Sequence, residues 1–157
     1  MVILIFAVAF RLTFFFSGPV FSFDMCRYVW DGKVAASGIN PHPYPPDTVE
    51  LSSPRDPNWR LINDKELGTG YPPLMELLSE FLYLSFRSVP SYKVTFFLFD
   101  LATICAIFWV LKELKLDVRN LLIYAWAPLP IIKISQMGHN NSMAAFLVLL
   151  FFLLLLR

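Results

Sequence analysis

Apolar runs alternate with one long polar stretch along this chain. The first run, Met1–Ser17, is broken by a charge at Arg11 and carries neither a basic leader nor a small-residue cleavage site, so it does not read as a signal peptide. Val94–Leu111 is long enough to span a bilayer and contains one acid, Asp100. Asn120–Ile134 is interrupted by Pro128, Pro130 and Lys133, which predicts a kinked span lining a cavity. Met143–Leu156 is almost pure leucine and phenylalanine. The pattern predicts an all-α integral membrane bundle with spans over about 1–17, 94–111, 120–137 and 141–157.

The polar stretch between the first two runs predicts two helices that do not cross. Residues 24–37 contain no proline and stop at Gly38, a helix-ending residue. Residues 72–86 place Glu76 and Glu80 four apart on one face, with Leu74, Leu77, Leu78, Phe81 and Leu82 over the other. An acid at the centre of a membrane-crossing helix costs ~2.5–3.5 kcal/mol, so a helix lying in the interface is favoured. Residues 18–93 are then one outer loop with interfacial helices at about 24–37 and 72–86. The connection Lys112–Arg119 is short and basic, which assigns it to the cytoplasmic side. The mouth of the first loop and the turn Gly138–Ser142 then share the outer face.

Composition agrees with a membrane protein: 57% of residues are hydrophobic and 16% charged. The net charge of +1 says nothing about nucleic acid, and there is no basic run to follow a phosphate backbone. Cys26 and Cys105 occupy unlike surroundings and form no disulfide framework.

Candidate chemistry gathers in DMCRYVWDGKVAASGINPHPYPPD, Asp24–Asp47. On a helix Asp24, Tyr28 and Asp31 share a face, and Arg27 reaches both acids. The two carboxylates stand about 10 Å apart along the axis, too far to share a proton or to hold one metal unaided, so a paired-carboxylate hydrolase is disfavoured. One carboxylate suffices for sugar transfer from a lipid phosphate. There the leaving group is already weakly basic, and the reaction needs a base on the acceptor hydroxyl and donors or cations on the phosphate. Asp24 fits the base, with helix N-capping as its structural alternative. Arg27, Arg11 or Lys33 could hold the phosphate, and Tyr28, Trp30 and Tyr71 offer flat faces. The proline-rich run INPHPYPPD must be stiff and extended. His139, with Asn140 and Asn141, has no metal-ligand spacing around it, so hydrogen bonding or plain solvation remain its two roles. Asp100 is either functional or held by a partner such as Lys133.

The order RYVWDGKVAASGINPHPYPPD, then YPPL, an acid-bearing span and GHNN resembles the GT-C superfamily of membrane glycosyltransferases, over Phe14 to about Leu150. It is most similar to bacterial mannosyltransferases that use polyprenyl-phosphate mannose. The resemblance implies a GT-C-like multi-span bundle of ten or more helices, of which this chain would be the N-terminal part, inactive alone. It implies a bacterial plasma-membrane protein with an extracytoplasmic site, a polyprenyl-phosphate-linked sugar donor and a glycan or lipid-linked acceptor. It places the catalytic base on Asp24. The candidate substrate contacts are Arg27, Tyr28, Asp31, Tyr71, His139 and Asn141, and the residues support no metal site and no cofactor, a divalent metal being possible but unsupported. The chain departs from the family at Phe23, where a second acid is common, at Lys133, near which relatives carry an acid, and at Asn141, usually aspartate. Those departures keep a non-catalytic polyprenyl-phosphate-binding or transport protein as the alternative, beside a small free-standing four-span structural protein.

Overall fold

A computed structural model of the chain describes residues 2–18 and 22–157. Met1 of the first expected span and residues 19–21 of the expected loop lie outside them. Among the described residues every regular element is helical and there is no strand. The chain forms two compact units, Met1–Val20 with Lys93–Arg157, and Phe21–Tyr92.

The first unit contains α1 (Val2–Phe15) and most of α4 (Val89–Glu113). After them come the short α-turns α5 (Leu122–Ala125) and α6 (Pro128–Pro130), a π-helix (Ile131–Gln136) and α7 (Asn141–Leu155). Among the described residues only α4, with a mean hydropathy of 2.2, is long and apolar enough to cross a membrane. The helices α1 and α7 are apolar but shorter, and the expected 120–137 span is a chain of short pieces. Proline explains the break: Pro128 and Pro130 lack the N–H that a continuous helix would bond.

Ala7, Ile104, Leu111, Leu121 and Ala125 form the apolar core of this unit. Inside it, Arg11 and Asp100 are both fully buried and joined at 2.6 Å. Arg11 also donates to the Ala125 carbonyl at 2.6 Å, and the Tyr124 hydroxyl donates to Asp100 at 2.7 Å. The partner of Asp100 is therefore Arg11, not Lys133. Arg11, fully enclosed, has no access to a phosphate. Ser142 donates to the Phe96 carbonyl and ties α7 to α4.

The second unit pairs α2 (Asp24–Ala36) with α3 (Pro73–Phe86). The helix α2 ends as the sequence predicts, with Gly38 at φ +81°, a conformation open to glycine. The two helices meet at Gly32. A Cβ there would collide with the Ser79 carbonyl, which accepts a 2.7 Å hydrogen bond from the Tyr92 hydroxyl. Cys26, Trp30, Val34, Leu51 and Ile62 form the core behind α2, with Trp59 packed on it. Lys33 is paired there with Asp56 at 2.7 Å. Asp56 also caps the 3-10 turn Pro57–Leu61, accepting from the backbone of Asn58 and Trp59.

The helix α3 buries Met75, Glu76, Ser79 and Leu82 and exposes Leu74, Leu77, Phe81 and Leu84. One of its two carboxylates is thus turned into the protein, and its greasiest side chains are turned out.

Candidate functional site

The N-cap of α2 is Phe23, with no side-chain cap, and Asp24 is the first helical residue. Capping therefore does not account for Asp24. Its half-buried side chain lines a cleft of about 270 Å³ with Arg27, Asn63, Asp64, Leu67, Gly68, Gly70 and Tyr71. Asp24, Arg27 and Tyr71 thus converge although 47 positions separate the first from the last.

Arg27 is held rigidly. Its Nε sits 3.0 and 3.1 Å from the two Asp31 oxygens, one helical turn on, and its Nη2 donates to the Leu67 carbonyl at 3.1 Å. A fork fixed in this way keeps its place without reorganising when charge develops nearby. Asp31 itself is 1% exposed, so it positions Arg27 from behind rather than standing in the cleft. Tyr28 is buried and meets Tyr71 edge to face, centroids 5.0 Å apart. Burial pushes the Tyr71 hydroxyl above its ordinary range, and the nearby Asp24 carboxylate pushes it further. Tyr71 therefore stays a phenol, a proton donor at neutral pH.

Behind Arg27 lies a pair of acids that the sequence does not announce. Thr69 donates to Glu76 Oε1 at 2.9 Å, and Asp31 lies near enough for its charge to act on Glu76. Burial is the largest influence on both acids. It drives Asp31 to about 6 against the pull of Arg27, and Glu76 to about 7 with help from the Asp31 charge. The outer oxygen of Glu76 is buried without a hydrogen-bond partner. The legible part of this arrangement is the Pro72-Pro73 start, which fixes Glu76 in the first turn of α3. Its approach to Asp31 depends on tertiary packing through Gly32.

His139 and Asn141 belong to the other unit. His139 is half-buried in the turn that follows the π-helix, and its backbone N–H donates to the Lys133 carbonyl at 3.0 Å. Asn141 opens α7 and lines a second cavity of about 240 Å³ with Tyr124, Leu129, Pro130, Lys133, Ile134 and Ala145. Among the described residues, no group of three or more His, Cys, Asp or Glu side chains is placed to hold a metal ion.

Chemically, the first cleft offers a carboxylate open to solvent on one side, a fixed guanidinium and a phenol. That set can accept a proton from a hydroxyl while donors hold the rest of a small polar molecule. Comparison with family models, with curated proteins and with solved structures gave no match.

Proposed function

We propose that the chain is part of a multi-pass membrane glycosyltransferase that moves a sugar from a polyprenyl phosphate to an acceptor hydroxyl, with inversion. Asp24 takes the acceptor proton. The oxygen attacks the anomeric carbon, the bond from that carbon to the phosphate oxygen breaks, and the polyprenyl phosphate departs with the electron pair. Tyr71 and Arg27 orient the reactants from across the cleft. The resemblance to mannosyltransferases makes mannose the sugar and a glycan or lipid-linked molecule the acceptor, on the extracytoplasmic face of a bacterial plasma membrane. His139 and Asn141 bind substrate in this reading. The long apolar α4, the shorter α1 and α7 and the outward leucines of these helices support a bilayer setting.

The observation that carries the proposal is the setting of Asp24, half-buried in a cleft with Arg27 and Tyr71 and not employed as the helix cap. Its test is transfer from a polyprenyl-phosphate sugar by the intact protein bearing Asp24→Asn. Loss of the base lowers turnover by about 10²–10⁴-fold while donor binding persists. Near-normal turnover would overturn the assignment of Asp24.

A non-catalytic polyprenyl-phosphate-binding or transport protein on the same scaffold is the second reading. It is favoured by the departures from the resembled family at Phe23, Lys133 and Asn141. Its signature is donor binding with no transfer by the unaltered protein.

A further inference from the structure

Lys133 is half-buried in the middle of the π-helix Ile131–Gln136, directly after the two prolines that break the segment. π-Helical turns are uncommon and occur frequently at functional sites. The walls of its cavity are mainly apolar: Leu129, Pro130, Ile134 and Ala145, with Asn141 and the Tyr124 ring completing the lining.

The carboxylates of this unit are already taken. Asp100 is bound by Arg11 and Tyr124, Asp117 by Arg119 at 2.6 Å, and Glu113 by Arg157 at 3.2 Å. Among the described residues no carboxylate pairs with Lys133. Lys133 is half-buried beside this mainly apolar lining without a carboxylate partner, and ionisable groups within membrane segments mark ligand paths. The Tyr124 hydroxyl is engaged by Asp100, which leaves the Lys133 amine and the Asn141 carboxamide as the polar groups for a ligand.

We infer that this cavity binds the phosphate of a lipid phosphate, with Lys133 as the counter-charge, Asn141 as a hydrogen-bonding group, and the start of the apolar chain against Leu129, Ile134 and Ala145. Lysine serves phosphate as a compact point charge, and the apolar walls select an amphiphile over a free ion. The inference deepens the function proposed above and takes the isoprenoid nature of the chain from it. The charge complementarity stands without it.

The test uses the intact protein in nanodiscs of phosphatidylcholine, titrated with farnesyl phosphate, farnesol or inorganic phosphate and followed by calorimetry. Farnesyl phosphate binds saturably, and Lys133→Met weakens it by at least about tenfold, the scale of one charged hydrogen bond. Lys133→Arg restores most of the affinity. Farnesol binds more weakly and equally to both proteins, and inorganic phosphate does not compete at matched concentration. Ala145→Phe, which fills the cavity while keeping the charge, also abolishes farnesyl phosphate binding and serves as the second variant if Lys133→Met fails to fold. Unchanged affinity in a folded Lys133→Met or Ala145→Phe protein would overturn the site. Inorganic phosphate binding as tightly as the prenyl ester would overturn the lipid. Absence of turnover by the unaltered protein would remove the transferase reading and leave a Lys133-dependent binding result intact. Turnover with binding indifferent to Lys133 would do the reverse.

Discussion

Replacing Glu76 by glutamine keeps the shape of the side chain and removes its charge, so the variant measures what an anion costs in the packing between α2 and α3. Glu76 is 7% exposed, and its carboxyl is raised from 4.5 to about 7, first by burial and then by Asp31, against opposing hydrogen bonding from Thr69 and the charge of Arg27. At about 1.4 kcal/mol per pH unit, the buried anion costs about 3 kcal/mol once it is fully ionised. The folded unit binds this proton more tightly than the unfolded chain does. The stabilisation is therefore complete below pH 4.5 and is lost as pH rises through about 7. Cys26 provides the assay, because it is 6% exposed on α2 and reaches a maleimide only when the unit opens. Cys105 is exposed and is changed to serine in both proteins. Labelling rates of the two proteins are compared at the same pH, so the ionisation of the thiol cancels. Between pH 5 and pH 8 the ratio shifts in favour of the glutamine variant by tens-fold, on the order expected from the linkage. A ratio independent of pH would show that Glu76 bears no burial cost and would refute the reasoning. Asp31→Asn in the same background removes one cause of the raised value and narrows the shift.

Two further outcomes follow from the packing. Asp100→Asn strands the fully buried Arg11 charge and lowers stability by about 3–5 kcal/mol, whereas Arg11→Met with Asp100→Leu recovers most of it; thermal melts in detergent distinguish the two. Gly32→Ala gains about 1 kcal/mol of helix propensity but drives a methyl group into the Ser79 carbonyl, and overpacking of about 1–3 kcal/mol prevails. Chemical denaturation gives a lower midpoint for this variant.

Local signals were legible where one residue type decides the local geometry. Gly38 ends α2, Pro72-Pro73 begins α3, and Pro128 with Pro130 breaks the segment before the π-helix. Asp56 before Pro57 caps the 3-10 turn in the same local way. Pairings across the chain were not legible. Arg11 and Asp100 are 89 residues apart, and periodicity carries no information about which buried charge meets which. Asp31 and Glu76 each belong to a predicted helix, but their proximity depends on Gly32, whose role is visible only once Ser79 lies against it. The expected all-α character is present, and among the described residues one helix has full crossing length, beside two shorter apolar helices. Apolar composition reports burial in grease or in protein alike.

The outward leucines of α3 have a practical consequence. Leu74, Leu77, Phe81 and Leu84 are mostly exposed, so a hydrophilic replacement at Leu77, 63% exposed, would leave the helix pair intact. What it would alter is the company the helix keeps. A preparation stripped of amphiphile would offer this strip to its own copies and clump, whereas a strip recoded with lysine and glutamate would yield a dispersible Phe21–Tyr92 piece for solution work.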